Sequence, residues 1–169
     1  MALLIKDVAH RDAQDILDDY WDGQYPVDPI SIADHMGITV WEADLPEDVS
    51  GQLVRTDASR MGEIYLNKNE LEVRRRFTCA HEIGHWVDRQ THNDTDYSFT
   101  DYRDASRKPD EAVEWYADHF AANLLMPTDE VNDLLDLGFT AGELSHYFDV
   151  SPAAVRVRLR SLGRTAARV

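Results

Sequence analysis

The sequence is organised around the stretch Arg74-Arg75-Arg76-Phe77-Thr78-Cys79-Ala80-His81-Glu82-Ile83-Gly84-His85. Its last five residues follow the pattern H-E-x-x-H. Residues four apart on an α-helix lie one above the other on the same face, so His81 and His85 can bind one metal ion. Glu82 lies one position further round the helix, where it can contact a water on that ion without binding the ion itself.

The residues around the pattern favour a metal site over a chance match. The plainer interpretation is a surface helix that carries two solvated histidines. Here, however, Phe77, Ala80, Ile83 and Val87 give the helix a broad apolar stripe. A buried helix that holds two imidazoles and a carboxylate needs a partner for them. We therefore predict a hydrolytic zinc site with Glu82 as the general base.

A catalytic zinc ion takes three protein ligands and leaves one position for water, so a further ligand must come from another segment. Residues 110–126 form a strongly amphipathic helical pattern on which Glu114 and Asp118 share a face with small residues. Glu114 is the favoured third ligand, because Asp118 could then orient a zinc-bound histidine. Glu111, one turn earlier on the same face, stays open as the alternative.

The charge distribution limits the partners of the chain. The 169 residues carry a formal net charge of −15, which argues against general affinity for nucleic acid. Residues 1–150 hold 12 basic and 32 acidic residues, a net charge of −20, whereas residues 151–169 hold five arginines and no acid. That basic tail could contact DNA, an acidic partner or the acidic body of its own chain, and the sequence leaves these alternatives open.

Cysteine content and hydropathy indicate the compartment. A single cysteine, Cys79, excludes an internal disulfide, and its helical position favours a buried thiol over a nucleophile. The apolar run at Met1–Ile5 is too short for a signal peptide, and no stretch is long enough to cross a bilayer. We therefore expect a cytoplasmic protein with no membrane partner.

Periodicity and capping signals predict an α+β fold with a small antiparallel sheet before the metal helix. The predicted strands are Ile38–Ala43, Gly51–Arg55 and Gly62–Asn67, the last two joined by a turn around Asp57–Arg60. The predicted helices are Val8–Tyr20, Asp28–Gly37, Glu70–Gln90 with an Asn67 or Asn69 cap, Asp110–Met126, Thr128–Leu137, a helix after Thr140, and Pro152–Leu162 with Ser151 as its cap. The last two form a helix-turn-helix-like unit.

Two groups of residues are candidates for handling a peptide substrate. The strand Glu63, Ile64, Tyr65, Leu66 leads directly into the metal helix and could bind a peptide as an edge strand. The polar segment Thr91–Pro109 is long enough for a functional loop or lid. A tetrahedral oxyanion needs a donor besides the metal, and the candidates are Tyr97, Tyr102, His92 and Tyr65.

The paired motifs of the two helices resemble those of the ImmA/IrrE metallopeptidases. The first is Arg75-Arg76-Phe77-Thr78-x-Ala80-His81-Glu82-x-Gly84-His85. The second is Glu114-x-x-Ala117-Asp118-x-Phe120-Ala121-Ala122-x-Leu124-Leu125-Met126-Pro127. The resemblance covers roughly Val27 to Pro127. Cys79 and Asp118 depart from the commonest residues of the family without affecting the ligands.

The resemblance implies a zincin-like helical core, a zinc ion held by His81, His85 and Glu114, and peptidase activity on a helix-turn-helix repressor. On this basis residues 1–137 form the metallopeptidase domain, and residues 138–169 form a helix-turn-helix-like region that either stands apart or packs into the same domain. The alternative is a non-hydrolytic anti-repressor, or a toxin-antitoxin or phage partner. Such a protein would have a structural zinc and would bind a repressor or DNA through its C-terminal region.

Overall fold

The computed structural model describes residues 4–56, 61–91 and 111–167, together with the backbone of residues 99–102. The helices are α1 (Ile5–Tyr20), α2 (Pro29–His35), α3 (Glu72–Thr91), α4 (Glu111–Leu125), α5 (Thr128–Asp136), α6 (Ala141–Phe148) and α7 (Pro152–Ser161). The strands are β1 (Thr39–Ala43), β2 (Gly51–Arg55), β3 (Glu63–Asn67) and β4 (Phe99–Tyr102). The predicted α+β class is confirmed.

The four strands form one mixed sheet in the order β1-β3-β2-β4. β2 pairs antiparallel with both β3 and β4, as a hairpin pattern predicts, but β1 pairs parallel with β3. β4 was not predicted at all, because it lies within the polar segment Thr91–Pro109. The turn predicted around Asp57–Arg60 lies outside the described residues.

The prediction that Glu63, Ile64, Tyr65 and Leu66 form an edge strand is wrong. These residues belong to β3, which lies inside the sheet between β1 and β2. Its main-chain groups are already used on both sides and cannot pair with a peptide. Within the described residues the edges of the sheet are β1 and β4.

The metal-motif helix α3 begins two residues later than predicted, and neither asparagine caps it. Asn67 is buried and donates from Nδ2 to the carbonyl oxygens of Leu45, Pro46 and Val49. Its Oδ1 accepts from the backbone N–H of Asn69. Asn67 therefore fixes the loop before β2 and the turn between β3 and α3, rather than the first turn of the helix.

Helix α3 lies between the sheet and α4, and α1 packs against the other side of α4. The inner face of the sheet supplies Leu53, Ile64 and Leu66, all of them fully buried or nearly so. Cys79 and Ile83 of α3 join them in a single hydrophobic cluster that continues into α4 and the C-terminal helices. The residues of the metal motif are thus held in the middle layer of the fold.

The C-terminal helices α6 and α7 form the predicted helix-turn-helix. Ser151 caps α7 by accepting from the N–H of Ala154, and Asp149 occupies the left-handed region at the end of α6, with φ of 50°. Arg76 of α3 binds this turn, because its Nε lies 3.2 Å from both the carbonyl oxygen and Oδ2 of Asp149. The proposed division between residues 137 and 138 stays a prediction.

Two of the five tail arginines bind other residues of the same chain. Arg158 is 3% exposed and donates to the carbonyl oxygen of Met126, to Asn123 Oδ1 and to Thr128 Oγ1. Burial lowers the pKa of Arg158 to about 10, so the guanidinium stays charged at neutral pH. Arg164 pairs with Asp136. Arg156 and Arg160 are exposed on α7, and Arg168 lies outside the described residues.

None of the helices in the described part of the chain combines the length and the apolar character that a membrane span requires.

Replacing Arg158 with Leu should destabilise the protein by about 2–3 kcal/mol, because it strands the buried acceptors that the guanidinium satisfies. Urea unfolding monitored by circular dichroism measures the effect. Arg160→Leu is the matched control, since Arg160 is exposed on the same helix, and it should leave the midpoint unchanged. Equal midpoints for the two variants would contradict the anchoring role of Arg158.

Candidate metal centre

Three side chains from two helices converge at one point. His81 and His85 of α3 and Glu114 of α4 offer ligand atoms that all lie within 4.8 Å of one another. The two Nε2 atoms are 2.9 Å apart, and the Glu114 carboxylate oxygens lie 3.4 Å from His81 Nε2 and 3.2 Å from His85 Nε2. The structure therefore brings together the three residues that the sequence predicted as ligands.

The donor set fits a zinc ion. Tetrahedral zinc with ligand bonds of about 2.0–2.1 Å holds neighbouring ligand atoms about 3.3 Å apart, close to the separations found here. Asp118 accepts at Oδ1 from His81 Nδ1 at 2.8 Å, which leaves the His81 Nε2 lone pair facing His85 and Glu114. Two imidazole nitrogens and a carboxylate lie very close together here. A cation bound between them would interact favourably with all three groups.

The carboxylates of α4 complete this arrangement. Contacts with His81, and next with His85, hold the pKa of the Glu114 carboxyl well below its ordinary value, so Glu114 is ionised and able to bind a cation. The side chain of Glu114 is 29% exposed and that of Asp118 is 55% exposed, whereas both histidines are buried. The site therefore opens to solvent on the α4 side and is closed beneath α3.

Glu82 lies in the same buried layer but is directed towards the sheet. It is 2% exposed, and its Oε1 would lie 3.6 Å from a Cβ atom placed on Gly51, the first residue of β2. That Cβ would also come within 2.4 Å of Thr78 Cγ2, one turn before Glu82. Gly51 therefore allows β2 to pass close to the metal helix, a role that sequence analysis missed because the glycine reads only as the start of a strand.

The convergence of the ligands depends on a close approach of α3 and α4 at Gly84. A Cβ atom at Gly84 would lie 3.2 Å from the Ala117 Cα and 3.1 Å from Phe120 Cδ1. Both contacts are tighter than ordinary side-chain packing, and one of them is with backbone. The glycine inside H-E-x-x-H therefore sets the distance between the histidines and Glu114.

The other predicted site residues divide into three groups. Glu111, the alternative ligand, is exposed in the first turn of α4 and is absent from the converging group. The prediction that Tyr65 is an oxyanion donor is wrong. Strand alternation directs its side chain to the other face of the sheet from the buried Ile64 and Leu66, and its hydroxyl donates to Glu63 Oε2. His92 and Tyr97 lie outside the described residues, and Tyr102 is described only by its backbone, opposite Gln52.

The chain matches one known protein family over most of its length. The sequence model of peptidase family M78, described as the IrrE N-terminal-like domain, matches residues 33–160. The chain belongs to this family. The match includes α3 and α4 and continues to Arg160 of α7, well beyond the stretch of the paired motifs. As an M78 member, the chain carries a metallopeptidase-like domain, and its His81, His85 and Glu114 group could bind a metal ion.

Solved structures support the fold independently. A Mycobacterium tuberculosis transcriptional regulator superposes with a TM-score of 0.61 at 19% sequence identity. The alignment covers 95% of this chain and 47% of the regulator, so this M78 chain spans about half the length of that protein. Among curated proteins, none shows a significant sequence match. At this identity the likeness concerns the fold alone.

Replacing Glu114 with Ala should weaken zinc binding by at least about 100-fold, since losing a ligand costs more than the 10–100-fold typical of losing a ligand's partner. Calorimetric titration of the apoprotein with zinc measures the affinity. Glu111→Ala removes the same group one turn away and should bind zinc like the unmodified protein. Weak binding by the Glu111 variant and normal binding by the Glu114 variant would reverse the assignment.

Replacing Gly84 with Ala should weaken zinc binding by about tenfold, because the added methyl group pushes α4 away from the histidines by a few tenths of an ångström. The same titration measures this effect. Gly142→Ala is the control, since a Cβ there meets only Thr140 Oγ1, at 3.9 Å. Unchanged affinity in the Gly84 variant would show that the helix spacing does not limit the site.

Proposed function

We propose that this M78 chain is a zinc-dependent endopeptidase that uses His81, His85 and Glu114 as ligands and Glu82 as the catalytic base. The observation that carries the proposal is the convergence of the three ligand atoms within 4.8 Å, with a buried Glu82 next to His81 in the sequence. A purely structural zinc site is usually closed by four protein ligands. Within the residues that the structure describes, this group offers three ligands, and it opens towards solvent beside Glu114.

Each of these residues has its own role in peptide hydrolysis. A zinc ion held by the three side chains would polarise the scissile carbonyl group and make the attacking water more acidic. Glu82 accepts the proton of that water at its carboxylate and delivers it to the leaving amine. Asp118 fixes the tautomer and orientation of His81 through the 2.8 Å contact with Nδ1. Glu114 stays ionised through its contacts with both imidazoles.

The substrate main chain has a suitable binding edge at β4. Helix α3 packs against β2 and β3, and β2 starts at Gly51, beside Glu82. β4 is the outer neighbour of β2, and Tyr102 lies opposite Gln52, next to Gly51. An extended peptide added to the outer edge of β4 would therefore run along the side of the sheet that is closest to Glu82.

The expected protein substrate is a helix-turn-helix transcriptional repressor, whose cleavage would relieve repression in the cytoplasm. The ImmA/IrrE resemblance of the paired motifs, together with the match to the IrrE N-terminal-like domain, supports this class. Substrate and compartment both belong to the proposal.

A non-hydrolytic anti-repressor is the second candidate. It is favoured by the exposed Arg156 and Arg160, which lie four residues apart on α7 of the helix-turn-helix and could contact an acidic partner or DNA. Three features weigh against DNA: the net charge of −15, the internal use of Arg158, and the pairing of Arg164 with Asp136.

Glu82→Gln separates the two candidates, because it removes the base and keeps the shape of the side chain. We expect it to lower the rate of repressor cleavage by about 10²–10⁴-fold while zinc affinity stays within a few fold. Mass spectrometry of fragments after incubation with candidate repressors measures cleavage, and Glu47→Gln serves as an exposed control. Undiminished cleavage or relief of repression in the Glu82 variant would contradict the peptidase proposal and favour the anti-repressor.

A further inference from the structure

A cavity of about 240 Å³ lies between the end of α1 and the start of α2, apart from the metal ligands. The residues that line it include three aromatic residues, Tyr20, Trp21 and Tyr25, and two acidic residues, Asp22 and Asp28. We call it the Trp21–Asp28 pocket. Neither the metal site nor the proposed hydrolysis uses any of these residues.

The aromatic walls of the Trp21–Asp28 pocket are held in place by contacts outside it. Trp21 and Tyr25 meet edge to face at 4.9 Å, and the Trp21 indole N–H donates to the carbonyl oxygen of Gln24. Tyr25 also packs against Tyr147 and Phe148 of α6, with ring centroids 5.3 and 5.7 Å away. Trp21 and Tyr25, both of which line the cavity, are therefore held in place by contacts with each other and with α6.

The charge around the pocket is negative. Residues 18–28 contain four aspartates and no lysine or arginine. Asp22 and Asp28 each accept a backbone N–H at Oδ1, and within the described residues Oδ2 of each has no hydrogen-bond partner. Burial, and next the charge of Glu130 on α5, raise the pKa of Tyr25 above its ordinary value. Arg76 approaches the same loop at Val27 O but is paired with Asp149.

Because aromatic and acidic residues line the same cavity, we propose that the Trp21–Asp28 pocket binds an arginine side chain of a protein partner. A guanidinium group stacks on aromatic rings, is only weakly hydrated and forms paired hydrogen bonds with carboxylates. Lysine fits less well, because its ammonium group is compact and strongly hydrated. Free arginine should bind less tightly, because it lacks the rest of a basic protein surface that the negatively charged chain attracts.

The net charge of the body supports a protein as the source of this side chain. Residues 1–150 carry a net charge of −20, which attracts a basic protein surface over the whole face around the pocket. The net charge attracts any basic surface, whereas the pocket selects an arginine side chain on that surface. Binding here does not depend on the metal, so the inference stands or falls separately from the peptidase proposal.

The test uses the zinc-loaded full chain and a capped Gly-Arg-Gly peptide, with the indole N–H signals followed by nuclear magnetic resonance. The Trp21 signal is identified with Trp21→Phe. We expect it to shift saturably with the arginine peptide, more weakly with a lysine peptide and with free arginine, and not with a citrulline peptide, which has the same shape without the charge. Trp115, next to Glu114 in the sequence, reports binding at the metal site instead.

Substitutions that remove charge test whether the carboxylates of Asp22 and Asp28 bind the arginine peptide. Asp22→Asn with Asp28→Asn keeps both backbone contacts, since the Oδ1 atom of asparagine accepts the same N–H bonds, and should weaken arginine-peptide binding by at least about fivefold. Glu47→Gln with Asp48→Asn removes two exposed charges elsewhere and should change the affinity by less than about twofold.

Four results would overturn the proposal: no saturable shift of Trp21, equal binding of the citrulline peptide, equal weakening by the two pairs of substitutions, or a shift of Trp115 alone. Tighter binding of free arginine than of the capped peptide would also contradict a protein partner as the source of the side chain.

Discussion

The metal centre depends on the close packing of α3 against α4. His81 and His85 are four residues apart on one helix, so their relative position is fixed by local geometry. Glu114 belongs to a different helix and reaches them only because Gly84 lets the two helices meet, with Ala117 and Phe120 directly against it. The chemistry of the site is therefore a consequence of one tight helix–helix contact in the middle layer of the fold.

The same helix connects the metal site to the C-terminal region. Arg76, five residues before His81, binds the carbonyl and carboxylate of Asp149 in the turn of the helix-turn-helix. Arg158 of α7 reaches back to Met126 at the end of α4. Two of the five tail arginines thus bind earlier parts of the chain, Arg158 at the end of α4 and Arg164 on α5. This arrangement favours a structural role for those arginines and leaves Arg156 and Arg160 exposed on α7 for contact with a partner.

The features that could be predicted correctly are those determined by residues close together in the sequence. Periodicity, caps and prolines predicted the seven helices found in the described part of the chain, and helix-face geometry with the family resemblance led to Glu114 over Glu111. Prediction failed where the answer depends on tertiary contacts. Strand order cannot be read from a strand's composition, so β3 was taken for an edge, β1 for an antiparallel strand, and Tyr65 for a residue facing the site. β4 was missed because its residues are as polar as the loop around them. The burial of Arg158 could not be predicted, because arginine is usually exposed and its buried acceptors come from distant parts of the chain.

We propose that the imidazoles of His81 and His85 and the carboxylate of Glu114 hold a single zinc ion and leave a position for solvent. X-ray absorption at the zinc edge of the zinc-loaded protein measures this coordination. We expect about four nitrogen or oxygen neighbours at about 2.0–2.2 Å, with multiple scattering from two imidazoles. Scattering from sulfur at about 2.3 Å, from a single imidazole, or from three or more imidazoles would contradict it.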